Sequence, residues 1–167
     1  MKTKTIIKSF LSINKVKDIM IKQCFICDDE EKLKDIIRNK TDVQEKNIKN
    51  TVDAILYIMK NYVSFTDEIE NSIISKVSRL IKENTKNNIT YQNLINLLHD
   101  YNIIQGDIID DYCYDRYSEE QKHTLVVKHI SCTKSLFIDY KIINKIEETY
   151  KTDKTDVIEI INVSIEC

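Results

Sequence analysis

Several residue types are almost missing from this chain of 167 residues, and each absence excludes a class of structure or function. It contains one glycine, one alanine and three arginines, and it has neither proline nor tryptophan. With Gly106 alone, the chain cannot form a glycine-rich phosphate loop or a dinucleotide-binding fingerprint. Three arginines also leave little capacity for bidentate recognition of phosphate groups. Because these signatures of nucleotide-binding enzymes are excluded, we expect a protein that is not an enzyme and that binds no cofactor.

The abundant residues are isoleucine, with 30 copies, and lysine, with 22. Together with asparagine and tyrosine they have AT-rich codons, so the composition indicates an AT-rich coding sequence. The lack of glycine and proline is then explained by mutation pressure and is not counted as evidence for helices. Apolar residues at 42% and charged residues at 31% are typical of a globular chain.

The charge and the cysteines indicate where the protein acts. A formal charge of -2 gives no overall attraction to nucleic acid or to anionic membranes. No run approaches the roughly 18 apolar residues of a membrane helix, and Lys8, Lys15 and Lys17 interrupt any signal-peptide core. Five cysteines form an odd set, which favours reduced thiols. We therefore expect a cytoplasmic protein without membrane insertion, folded as a single domain over residues 1–167.

Apolar residues recur at helical spacing through the first hundred residues. The clearest stripe contains Ile48, Val52, Ile55, Leu56, Met59 and Val63. Signals for the start of a helix are found at Asp28, Thr41, Ser64 and Thr90. These patterns predict five amphipathic helices that form a bundle over residues of about 5–105, with buried positions that include Ile73 and Val77.

The pattern changes in the last third of the chain. Residues 123–130 and 156–165 are rich in β-branched side chains and favour strands. Residues 137–142 are a further candidate strand, paired with the first through a turn at 131–134. We expect the segment 156–165 to be hydrogen-bonded to the segment 125–130. Its alternation predicts one face made of Val157, Glu159, Ile161, Val163 and Ile165.

The predicted fold class is therefore α+β, mainly helical, with a small antiparallel β element over residues of about 120–167. An all-α bundle is the alternative, because Ser118 and Asp156 also begin capping-box patterns. Helical spacing is also present in the series Ile138, Ile142, Ile146 and Tyr150. Periodicity alone does not separate these interpretations.

Cys24 and Cys27 form the one motif with the spacing of a metal site or a redox pair. His129 and Cys132 could supply a second pair of ligands for zinc. About a hundred residues separate the two pairs, and no turn-forming glycine or proline accompanies the first. We therefore predict that the cysteines are buried structural thiols and that the chain holds no metal.

Acidic residues are densest over residues 107–115, where Asp107 and Asp111 would share one face of a helix. Such a pair could hold a divalent cation or act as a general acid. An acidic cluster without a partner motif is more often a solvated helix start or loop, which is the interpretation we prefer.

Lysines make the N-terminal segment basic, and a second function class follows from them. The lysines are Lys2, Lys4, Lys8, Lys15, Lys17 and Lys22. They could bind phosphates while Tyr112, Tyr114 and Tyr117 stack on bases. Because these tyrosines lie among carboxylates, binding of nucleic acid in replication or transcription is the alternative to protein binding.

The composition, rich in Ile, Lys, Asn, Asp and Tyr and nearly free of Ala, resembles small proteins of AT-rich poxviruses over the whole chain. One family of this size in such viruses is the Bcl-2-like host-modulating proteins. That resemblance implies a helical bundle that binds host apoptosis or innate-signalling proteins through a groove or a helix face. We therefore expect a non-catalytic protein-interaction module whose partner is another protein; the oligomeric state does not follow from the sequence.

Overall fold

The computed structural model describes residues 2–85, 88–104, 109–113, 123–127, 130–131, 133–143 and 152–167, and only the backbone of residues 2–11 and 109–113. The described residues form the helices α1 (Lys2–Gln23), α2 (Glu30–Lys40), α3 (Glu45–Asn61), α4 (Val63–Asn84) and α5 (Tyr91–Asp100). They also form the strands β1 (Ile89–Thr90), β2 (Ile109–Cys113), β3 (His123–Val127), β4 (Ser135–Ile142) and β5 (Val157–Glu166). The α+β prediction is confirmed, and the all-α alternative is wrong. None of the described helices is long and apolar enough to cross a membrane.

The chain divides into two compact units, residues 1–73 and residues 74–167, with the boundary inside α4. Each unit is considered separately below. The expectation of a single domain over residues 1–167 stays a prediction.

In the first unit, α1 and α2 both pack on α3. The predicted stripe of α3 faces this core, because Ile48, Val52 and Ile55 are at most 3% exposed. Met59, one turn further along, is only half-buried, so its predicted burial is wrong. The other side chains of this core that are at most 1% exposed are Val16, Met20, Cys27, Leu33, Ile37, Ile69 and Ile73.

The helix starts agree only in part with the predicted signals. Asp29 caps α2 by accepting a hydrogen bond from the Lys32 N–H at 2.9 Å, one residue after the predicted Asp28. Thr41, predicted to begin a helix, instead ends α2, and its hydroxyl donates to the Ile37 carbonyl. The next helix begins at Glu45 after the N-cap residue Gln44, three residues later than this signal predicted.

In the second unit, the described strands form one antiparallel sheet in the order β1-β5-β4-β3-β2. Alternate residues of β3 and β4 are buried, which places one face of the sheet in the core. Tyr91 of α5 lies on this face, since its ring centroid is 5.7 Å from that of Tyr140 in β4. The remaining buried side chains of the two strands are His123, Leu125, Val127, Leu136 and Ile138.

The predicted hairpin is confirmed, because β4 contains residues 137–142 and pairs with β3. The helical interpretation of Ile138 and Ile142 is therefore wrong. The strand predicted over residues 156–165 is also confirmed as β5, but its predicted neighbour is wrong. The short hairpin places β4 directly beside β3, and β4 lies between β3 and β5 in the sheet. The strand β5 therefore pairs with β4 and not with residues 125–130.

The acidic cluster was assigned to the wrong secondary structure. Asp111 lies in β2, opposite Leu125 of β3, whereas Asp107 lies outside the described residues. The prediction that Asp111 lies on a helix face is therefore wrong. Asp156, predicted as a possible helix cap, is buried and accepts a hydrogen bond from the Asp153 N–H at 2.7 Å.

Candidate functional site: a groove beside the open edge of strand β5

The two edges of β5 differ in how far they are paired. On one edge, β4 pairs with β5 from Ile158 to Glu166. On the other edge, β1 pairs only with Val157 and Ile158. From Glu159 onward, none of the strands in the described part of the chain lies on this side, so the edge is open there. An unpaired strand edge presents N–H and C=O groups that can pair with another extended chain.

Hydrogen bonds at the start of β5 show which residues face the open edge. The Ile143 N–H donates to the Val157 carbonyl at 2.8 Å, so Val157 faces β4. The Tyr91 N–H donates to the Asp156 carbonyl at 2.9 Å, so Asp156 faces the β1 side. Antiparallel ladders alternate between these two directions. When this alternation is followed along β5 with the β4 register and its bulge, the backbone N–H and C=O groups of Ile160, Val163 and Ile165 face the open edge.

A β-bulge interrupts β5 at Ile161. Asp139 pairs with Asn162 and Tyr140 pairs with Ile160, so Ile161 has no residue opposite it in β4. The side chain of Ile161 is 44% exposed. Because the bulge shifts the alternation, one face holds Ile158, Ile160, Val163 and Ile165. The predicted face that combined Glu159 and Ile161 with the two later residues is therefore wrong.

The second half of α4 and the open edge of β5 form the two walls of a groove of about 600 Å³. This volume lies within the range of 300–1,000 Å³ that is typical of binding pockets. Seven aliphatic side chains line it: Ile74, Ile81, Ile89, Ile158, Ile160, Ile161 and Val163. Polar side chains complete the lining: Ser78, Lys82, Thr85, Asn88, Glu159 and Asn162. We call this feature the α4/β5 groove.

A smaller pocket of about 350 Å³ shares Thr85, Asn88 and Ile89 with the α4/β5 groove. Its remaining lining is dominated by amide side chains, which can both donate and accept hydrogen bonds. These residues are Asn84, Asn93, Asn96, Leu97 and Asp100. The groove thus continues, through shared residues, into a polar surface next to β1.

Cys24 has a structural role at the end of α1. It lies in the left-handed region with φ of 49°, a conformation that usually favours glycine. Its N–H donates to the Ile21 carbonyl and the Phe25 N–H donates to the Met20 carbonyl, at 3.2 and 3.0 Å. This pair of bonds is a Schellman motif, the common end of an α-helix. In a chain with one glycine, a cysteine takes the position that glycine usually occupies.

The thiols of Cys24 and Cys27 are both buried and act as hydrogen-bond donors. The Cys24 Sγ donates to the Ile21 carbonyl and the Cys27 Sγ to the Asp29 carbonyl, each at 3.8 Å. Burial raises the pKa of the Cys27 thiol, which disfavours the thiolate that metal binding requires. His129 and Cys132 lie outside the described residues. Within the described residues, no group of three or more His, Cys, Asp or Glu side chains could hold a metal ion.

The purified protein is expected to contain no stoichiometric zinc, because both thiols are buried and donate hydrogen bonds to backbone carbonyls. Elemental analysis by mass spectrometry of protein purified without chelators measures this directly. The Cys24→Ser and Cys27→Ser variants are the controls. A stoichiometric zinc content in the wild type that is lost in either variant would contradict the prediction.

Two of the lysines proposed to bind nucleic acid are engaged in ion pairs. The Lys15 Nζ lies 2.9 Å from an Asp42 carboxylate oxygen, and the Lys17 Nζ lies 2.8 Å from one of Glu68. A carboxylate beside each ammonium group reduces its attraction for phosphate. The side chains of the earlier lysines and the three tyrosines from 112 to 117 lie outside the described parts.

Large exposed apolar side chains are also present in the first unit, at the junction of α3 and α4. Tyr57, Tyr62 and Val63 are 61%, 55% and 70% exposed. The two tyrosine rings contact each other edge to face, with centroids 6.4 Å apart. These three residues belong to two helices and the residue between them and have no strand edge beside them in the described structure, so the α4/β5 groove is the better candidate site.

Comparison of the chain with models of protein families, with curated proteins and with solved structures gave no significant match. One signal for the groove was present in the sequence: the adjacent isoleucines Ile160 and Ile161 interrupt the alternation of apolar and polar residues between Ile158 and Ile165. This pair is where the bulge lies. The wall contributed by α4 had no separate signal, since Ile74 and Ile81 are equally suited to a closed core.

Proposed function

We propose that this chain is a non-catalytic protein-interaction module that binds a segment of a partner protein in the α4/β5 groove. The proposal rests on one observation, a groove lined by seven aliphatic and six polar side chains, one wall of which is an open strand edge. Aliphatic side chains favour apolar side chains of a partner, and the edge groups of β5 favour its backbone. Together they suit a polypeptide better than a small polar metabolite.

A finer version of the proposal follows from composition. The resemblance to small proteins of AT-rich poxviruses supports a host-modulating protein that acts in the cytoplasm on a host signalling or apoptosis factor. In this version the helices of the first unit form a bundle. The Bcl-2-like family suggests the mode of action, capture of a partner segment in a groove, although here the groove has one helical wall and one strand wall.

Binding of nucleic acid remains the alternative, and the ion pairs of Lys15 and Lys17 weigh against it. The two functions differ in their response to salt. Contacts with phosphates weaken steeply as salt concentration rises, whereas burial of aliphatic side chains does not. Binding of single-stranded or duplex DNA or RNA that falls steeply with salt would favour the alternative.

The proposal is tested by filling the groove. Ser78 is an exposed residue of α4 that lines the groove, and Ser75 is an exposed residue of the same helix that does not. Ser78→Trp places a large ring in the groove, so it is expected to weaken peptide binding by roughly tenfold or more, whereas Ser75→Trp should leave it unchanged. The probes are synthetic peptides selected from a random phage-displayed library against the full chain, with affinity measured by fluorescence anisotropy.

Equal binding by both tryptophan variants and the wild type would show that the peptides bind elsewhere. A library that yields no binder for the wild type would also contradict the proposed function. Because Ser75 and Ser78 are both exposed on one helix, thermal unfolding of the two variants should be the same. A difference in peptide binding is then assigned to the groove.

A further inference from the structure

We infer that the partner segment binds as an added β-strand, antiparallel to β5, along Ile160 to Glu166. This inference rests on the proposed function and specifies the conformation of the ligand. The occupant is an extended segment of another protein with aliphatic side chains at alternate positions. Three steps support it: the direction of the edge groups, the strand that already pairs there, and the chemistry of the walls.

The first step is the direction of the backbone groups. Ile160, Val163 and Ile165 direct their N–H and C=O groups to the open edge, as derived from the ladder with β4. The edge from Ile160 to Glu166 is about 20 Å long at the usual rise of a strand. This edge contains no proline and no lysine, which commonly protect an edge from added strands, and the bulge at Ile161 leaves it regular from Asn162 to Glu166.

The second step is that this edge already accepts a strand. The residues of β1, Ile89 and Thr90, pair antiparallel with Ile158 and Val157. Among the described residues this ladder has two residue pairs, whereas β5 continues for eight residues beyond Ile158. A segment antiparallel to β5 at Ile160 to Glu166 would therefore extend an interface that the chain has begun itself.

The third step is the chemistry of the walls. Ile160, Val163 and Ile165 lie on one face of β5 and are only half-buried. A strand paired with them would place alternate side chains on the same face, next to Ile74 and Ile81 of α4. Aliphatic residues at those positions would bury apolar surface on both sides. Lys82 of the helical wall favours an acidic residue in the segment near it, and Glu159 of the strand wall favours a basic one.

A second copy of this chain fits the edge less well. In a symmetric antiparallel pair, residues opposite each other must lie on the same face of the continuous sheet. The bulge at Ile161 breaks the alternation, so two copies could pair regularly only beyond it, over Asn162 to Glu166. A segment of another protein does not have to obey this symmetry, so it can also pair with the backbone N–H and C=O groups of Ile160.

The experiment is a scan of backbone N-methylation in the tightest peptide from the library described above. Each N-methyl group removes one N–H donor without changing a side chain. If the peptide is an added strand, methylation at every second residue should weaken binding by roughly tenfold, and methylation at the residues between should have little effect. The full chain is used throughout, and affinity is measured by fluorescence anisotropy.

A protein variant provides a second readout. Ile165→Pro removes an N–H that faces the open edge and not β4, and proline is tolerated at such edge positions. Its thermal unfolding should change little, while peptide binding should fall by roughly tenfold. If the variant fails to fold, the N-methylation scan still tests whether the peptide binds as an added strand, because the scan changes only the peptide.

The outcomes separate this inference from the proposed function. Peptides that lose affinity in Ser78→Trp but show no alternation on N-methylation would bind the groove through side chains, which overturns strand addition alone. Peptides that bind Ser78→Trp as well as the wild type overturn both. A wild-type dimer in light scattering that Ile165→Pro converts to a monomer would assign the edge to a second copy and overturn the inference.

Discussion

Replacing Ile55 with Asp is expected to unfold the first unit, residues 1–73. The side chain of Ile55 is fully buried in α3, in the stripe that packs against its neighbouring helices. A carboxylate at this position would lose its hydration and have no compensating partner. Changes of this type cost about 4–5 kcal/mol or more, which is comparable with the total stability of about 5–15 kcal/mol of a typical domain. Far-UV circular dichroism should show the loss of cooperative thermal unfolding.

Asn50→Asp is the matched control for this variant. Asn50 is exposed on the same helix, so the variant gains the same charge in water and its stability should change by less than about 0.5 kcal/mol. Val77→Asp tests the second unit in the same way, because Val77 is also fully buried. A soluble Ile55→Asp protein that melts cooperatively at the wild-type temperature would show that α3 presents a different face to the core.

The helices could be predicted because the information that specifies them is local. The stripe of α3 repeats every three or four residues, and Thr90 caps α5 by accepting a hydrogen bond from the Asn93 N–H at 3.2 Å. Thr41 fails as a start signal for the same local reason. Its hydroxyl donates to the Ile37 carbonyl of the preceding turn and accepts from the Val43 N–H at 3.4 Å, so it closes α2, while α3 begins after Gln44.

The order of the strands could be predicted only where a short connection restricts it. Seven residues join β3 to β4, which permits only a local antiparallel pairing. No short connection joins β4 to β5, and alternation in β5 specifies its faces but not its neighbour. The prediction that residues 156–165 pair with residues 125–130 was wrong because no local pattern specifies which strand lies beside β5. The two-residue strand β1 is too short to have a pattern of its own.

The candidate site could not be predicted for a related reason. Its two walls come from parts of the chain about eighty residues apart, the second half of α4 and β5. The bulge at Ile161 shifts Ile160 onto the face of Val163 and Ile165, which simple alternation cannot do. The cysteine motif, by contrast, was visible in the sequence but has a local structural explanation, since Cys24 ends a helix.

Replacing Tyr140 with Ala is expected to be the most destabilising truncation in the sheet of the second unit. Tyr140 is fully buried in β4. Its ring stacks on that of His123 with centroids 5.5 Å apart and contacts the ring of Tyr91 at 5.7 Å. Its hydroxyl is hydrogen-bonded to the Thr152 hydroxyl at 2.6 Å. Removal of a buried aromatic ring costs about 3–5 kcal/mol, because the cavity loses contacts on all sides.

Tyr140→Phe separates the ring from the hydroxyl. It keeps the contacts with His123 and Tyr91 but leaves the Thr152 hydroxyl without this partner, at a cost of about 1–2 kcal/mol. Urea unfolding followed by circular dichroism should therefore place the stability of the Phe variant between those of the wild type and the Ala variant. Equal losses in the two variants would mean that the bond to Thr152, and not the stacked rings, holds β4 in the core. A loss below about 1 kcal/mol in the Ala variant would contradict the burial of Tyr140 itself.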